Sequence, residues 1–96
     1  MDEYVIIRST NAGVFAGTLV KKKGDEVELN DARRLWYWSG ASSLSELAVR
    51  GVAHPDKCKF PVAVPRIIVL GVIEIIPASE EARASIAAVP EWRQHD

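Results

Sequence analysis

The chain reads as an α+β domain, a small and mostly antiparallel β-sheet or sandwich of about five to six strands with two short helices. Three observations predict this class. β-branched stretches alternate with Gly- and Asn-containing turns through the first part of the chain. Two capping signatures, Ser43-Leu44-Ser45-Glu46 and Ser79-Glu80-Glu81, each open a short apolar stripe. The run from Arg66 to Pro77 is the strongest strand-forming stretch in the sequence. With 96 residues, one domain is expected.

The elements follow in order. Tyr4–Arg8 opens as a strand, Thr10–Gly13 turns the chain, and Val14–Val20 returns as a hairpin partner. Gly17 inside the second strand marks a bulge or a close backbone approach. Lys21–Asp25 is predicted as the next turn, its lysines a solvated hairpin tip. Glu26–Leu29 alternates polar and apolar, as a strand with one wet face does. Asn30–Ser39 is read as a fourth strand of the meander. A helix is predicted over about residues 44–50, with Ser43 as N-cap, Glu46 reaching back and Gly51 just past its end. Val52–Lys59 is a loop, and Pro61 and Pro65 confine the piece between them to an edge strand or an irregular passage. Residues 66–77 read as one long strand, apolar on both faces, which Gly71 bends or bulges. A single-layer meander cannot cover both faces, so a homo-oligomeric contact is expected there. Ser79 caps a last helix with Ala82, Ile86 and Val89 on its buried stripe, and Pro90 stops it. Trp92 is expected to fold back on the core and Arg93–Asp96 to fray.

Composition removes several function classes. Charged residues make up 26% of the chain and the formal net charge is −1, so no global basic field attracts DNA, RNA or an anionic membrane. The single cysteine, Cys58, points to a reducing compartment. Met1-Asp2-Glu3 has no basic signal-peptide character. The apolar run Ile67–Ile76 is about half the length of a membrane-spanning helix and carries Glu74. A cytoplasmic protein is expected. His54 and Cys58 lack the further ligands of a zinc site, so no metal or other cofactor is expected. The two histidines, His54 and His95, belong to no recognisable catalytic set, and no phosphate-loop or nucleophile-elbow motif occurs, so no enzyme is expected.

The chemistry that remains lies between Asn30 and Ser43. On a strand, Arg34, Trp36 and Trp38 share one face, and Arg33, Leu35 and Tyr37 share the other. Arg33 or Arg34 offers a planar fork to phosphate, and Trp36 and Trp38 can stack on a base. Ser42 and Ser43, at the opening of the helix, can serve an anion together with free backbone N–H groups. These six residues compose a candidate pocket for a small phosphate-bearing nucleotide. The competing reading makes the tryptophans core and interface, in an assembly or protein-binding module.

The run Asn30–Ala41, most specifically Ala32-Arg33-Arg34-Leu35-Trp36-Tyr37-Trp38, with Tyr4–Arg8, Ala12–Gly17, Ser43–Ala48, Cys58–Pro61 and Glu74–Pro77, resembles a family of short phage and prophage proteins of unassigned activity. The resemblance covers nearly the whole chain and implies a phage origin, hence the cytoplasm of an infected bacterium. By type alone the chain also resembles phage sponges that sequester nucleotide signals of bacterial immunity. That likeness implies a non-catalytic binder of a cyclic nucleotide or cyclic ADP-ribose isomer.

Overall fold

The computed structural model describes residues 3–94. Met1, Asp2, His95 and Asp96, on which the acidic start and part of the frayed end were expected, lie outside them.

The fold is α+β. Strands β1 (Glu3–Ser9), β2 (Gly13–Lys23) and β3 (Glu26–Arg34) form a meander. Helix α1 (Leu44–Arg50) and a 3-10 turn (Pro55–Lys57) fill the passage to β4 (Val64–Val69). Strand β5 (Val72–Pro77) and helix α2 (Glu80–Ala88) follow. All five strands are antiparallel in one sheet, in the order β4-β3-β2-β1-β5.

That order dictates a curl. β4 and β5 are opposite edges of the sheet, yet only Leu70 and Gly71 separate them in sequence. Flat, five strands would hold the edges about 19 Å apart. The three Cα–Cα steps from Val69 to Val72 reach at most about 11 Å. The sheet therefore rolls up, and its inner face closes on Val5, Ile7, Phe15, Leu19, Val27, Leu29, Val69 and Val72. Gly71 makes the corner with φ +70. Its carbonyl accepts from the Thr10 N–H at 3.0 Å, and the Val72 N–H reaches the Asp25 carbonyl at 2.9 Å. The expected long strand over 66–77 is thus two strands: Val69 and Val72 are buried inside the roll, while Ile68, Leu70 and Ile73 remain exposed.

The two helices cover the outer face. Ile6 and Ala16 of the sheet meet Leu47, Ala48, Phe60 and Ile86 there. Both helices start where the capping residues place them: Ser43 Oγ accepts from the Glu46 N–H and Ser79 Oγ from the Ala82 N–H. Gly51, φ +78, ends α1. Ser79 also donates from Oγ to the Val49 carbonyl at 2.6 Å, tying α1 to α2.

Two other boundaries differ from expectation. Lys21–Lys23 belong to β2, and the turn is only Gly24-Asp25, because Lys21–Lys23 pair with Glu28–Glu26 across the hairpin. Asn30–Arg34 is no separate strand but the second half of β3. A bulge there, with Asp31 at φ +50, bends one long strand around the roll. Gly17 faces this bulge; a Cβ on it would lie 3.1 Å from Ala32 Cα, the close approach that its position implied. Pro65 lies in edge strand β4, where a missing N–H is tolerated.

Candidate functional site

The bulge in β3 decides where the Arg-Arg-Leu-Trp-Tyr-Trp run points. After it, Arg33 stands opposite Ala16 on the helix side, and Arg34 opposite Phe15 on the inner side. β3 ends at Arg34, and beyond it the strict alternation fails: Trp36 and Tyr37 are both exposed, at 59% and 52%. Trp38 packs partly buried against the helix-side core. Trp36 and Trp38 therefore do not form a stacking pair.

Arg33 is used internally. Its Nη1 donates to the carbonyls of Ile86 at 2.9 Å and Val89 at 2.8 Å, and its Nη2 to that of Phe60 at 2.8 Å. Longer contacts reach the carbonyls of Pro61 and Pro90. The guanidinium thus clamps the end of α2 to the Phe60-Pro61 segment, and its fork has no face left for phosphate. Burial pulls its pKa below the usual arginine value, opposed by Tyr4 and Glu91 nearby. Burial likewise raises the Tyr4 pKa, against the pull of Arg33 and Arg83.

The serines are occupied as well. Ser43 Oγ is the cap of α1, and Ser42 donates from both its N–H and its Oγ to Glu46 Oε1, at 2.7 and 2.8 Å. A carboxylate of the chain itself fills the anion position. Those two donors from Ser42, with Arg50 behind, hold the Glu46 carboxyl below its usual range. Arg33, Arg34 and Ser42 line three different clefts, so the six residues proposed from sequence do not converge on one pocket.

Another cluster forms instead. Trp36 and Trp92 stand with ring centroids 5.1 Å apart, tilted by 31°. Lys59 Nζ lies 5.2 Å from the Trp36 centroid, 5.6 Å from Trp92 and 5.9 Å from Tyr37. The backbone fixes all three segments. Tyr37 and Lys59 exchange both N–H···O bonds, at 3.3 and 2.7 Å, and the Trp92 N–H reaches the Phe60 carbonyl at 3.0 Å. Arg33 braces the Phe60 and Val89 segments from beneath. The result is a backbone-bonded platform of three aromatic rings around one ammonium, with Trp36 and Tyr37 exposed and Trp92 partly buried. Lys59 and Trp92 were not candidates in the sequence. The signals for them were indirect: Trp92 follows the helix stop at Pro90, and Lys59 lies between the buried Cys58 and Phe60.

Cys58 packs in the core, its Sγ accepting from the Ser39 N–H at 3.5 Å and donating to the His54 carbonyl at 3.4 Å. Among the described residues, no three of His, Cys, Asp and Glu are grouped to hold a metal. Among them, too, no helix is long and apolar enough to cross a membrane.

Comparison with known proteins places the chain in a family without assigning it a reaction. The family model described as Domain of unknown function (DUF6948) matches residues 2–86. No curated protein and no solved structure matches the chain. Since the family model spans well over half of the sequence, the chain belongs to the DUF6948 family, a domain of unknown function.

Proposed function

We propose that the chain is a non-catalytic interaction module that grips a protein partner through the platform of Trp36, Tyr37, Lys59 and Trp92. The observation that carries this reading is the exposure of Trp36 and Tyr37, at 59% and 52%, beside the backbone bonds that join Tyr37 to Lys59. Tryptophan and tyrosine are enriched among the residues that dominate protein interfaces. A pre-ordered pair loses little conformational entropy on docking. A phage origin, implied by the sequence resemblance, makes a host protein or a second copy of the chain the natural partner.

The test compares wild type with a Trp36→Ser/Tyr37→Ser variant whose melting temperature is unchanged. The expected result is loss of co-purifying host proteins, or of self-association in light scattering, with both retained in a Lys22→Glu control. Equal partners and equal mass for variant and wild type would refute the reading.

Sequestration of a nucleotide signal of the host is the second reading. Two indoles beside the Lys59 ammonium favour it, since a base can stack on the outer indole face while the ammonium meets phosphate. In that case cyclic dinucleotides, cyclic trinucleotides or cyclic ADP-ribose isomers raise the melting temperature of wild type and not of Trp36→Ser. Recovery of the ligand chemically intact would mark binding without turnover.

A further inference from the structure

We propose that the cleft between the β1–β2 turn and the end of β4 binds a small amphipathic anion. Its apolar body would lie on Ile67, Ile68 and Leu70, and its carboxylate or phosphate on Arg34. The cleft has a volume of about 520 Å³, within the roughly 300–1,000 Å³ of small-molecule sites.

Its walls are mostly hydrocarbon. Ile67, Ile68 and Leu70 line it, with the buried Phe15 ring beneath Arg34 at its edge. Leu70 is 63% exposed and Ile68 44%, so apolar surface faces water that a ligand would release.

Arg34 gives the cleft its charge preference. The guanidinium carbon lies 4.4 Å above the Phe15 ring, and Nη1 donates to the Ala12 carbonyl at 2.7 Å. The stack and the bond together fix the fork. Its other N–H groups make no hydrogen bond, and Arg34 makes no ion pair, among the described residues. Of the other arginines, Arg8, Arg50, Arg66 and Arg93 each pair with a glutamate, Arg33 is spent on carbonyls, and Arg83 lies over the Tyr4 ring away from this cleft. A fixed, unneutralised fork on the rim of a hydrocarbon cleft complements an anion attached to an apolar group. Neither a bare anion nor a neutral hydrocarbon uses both halves. Trp36 and Trp92 do not line this cleft, so the inference stands apart from the platform.

The experiment is an amide NMR titration of the whole protein with octanoate, octyl phosphate and the neutral 1-octanol. Saturable shifts at Ala12, Phe15, Leu70 and Gly71 are expected, with one of the anions bound about tenfold more tightly than octanol. Arg34→Gln should bring that anion down to the octanol level and leave octanol unchanged. Leu70→Asp, at an exposed position, should weaken all three while the melting temperature holds. Which head group binds more tightly separates a carboxylate ligand from a phosphate one, and either supports the site. Equal binding of anions and octanol, an undiminished anion affinity in Arg34→Gln, or shifts confined to Lys21–Lys23 would overturn it.

Discussion

Replacing Arg33 by alanine tests whether the guanidinium is a clamp. Three short bonds to carbonyls disappear, at 2.8, 2.8 and 2.9 Å. Hydrogen bonds with a charged partner contribute about 1.5–3 kcal/mol each, so the low end gives a loss of about 4.5 kcal/mol. Water can reach the Val89–Pro90 end of the clamp, where Pro90 is exposed, and brings the figure to about 3 kcal/mol. A chain of this length has a total stability of roughly 5–15 kcal/mol. The melting temperature of Arg33→Ala should therefore fall by about 12–24 °C. Urea unfolding should show the midpoint lowered at unchanged slope. Arg33→Lys keeps the charge but not the fork, and should recover less than half of the loss. Near-ultraviolet circular dichroism should also lose the Trp36–Trp92 signal, because the clamp braces the segments that carry Lys59 and Trp92. A melting temperature for Arg33→Ala within about 3 °C of wild type would refute the clamp and return this fork to the list of ligand-binding groups.

Two further outcomes concern the helix ends. The Glu46 carboxyl is held below its usual range by Ser42, so its stabilising effect is present above the unfolded-state pKa of about 4.3 and fades as pH falls through the lower folded value. Melts of wild type and Glu46→Gln should differ at pH 7 and converge in acid; a constant gap would count against the capping carboxylate. Gly51→Ala should cost at least about 2 kcal/mol, since a Cβ at φ +78 overlaps the Ser85 side chain, and urea unfolding measures it directly.

Much of the fold was legible because its signals are local. Ser43, Glu46 and Gly51 mark the bounds of α1 through short-range hydrogen bonds, and Ser79 with Pro90 does the same for α2. The split of residues 66–77 was not legible, because both halves are equally β-branched and only long-range partners break them. Gly71 turns the chain, while Thr10 and Asp25, far away in sequence, hold the corner. The Arg-Trp run was legible as a special stretch but not in its geometry. One bulge at Asp31 sends Arg33 and Arg34 to opposite faces. The carbonyls that occupy Arg33 belong to the last part of the chain, which strand periodicity cannot reveal. The platform needed Lys59 and Trp92, brought beside Trp36 by a two-residue bridge and a single backbone bond.

The closure of the roll depends on Ser9, the one buried polar side chain among the described residues. Its Oγ donates to the Leu70 carbonyl at 2.7 Å and accepts from the Ala12 N–H at 3.2 Å. It thus joins the β1–β2 turn to the corner between β4 and β5, where the two edges of the sheet meet. Ser9→Ala removes both bonds at once and leaves a carbonyl and an N–H without that partner, at a cost of about 1–3 kcal/mol. The loss should be local before it is global. Amide exchange at Thr10 and Val72, whose N–H groups close the same corner, should accelerate more than exchange at Ile6, in the middle of β1. Uniform acceleration across β1 would mean that the sheet unfolds as a unit, and that Ser9 is no latch for the corner.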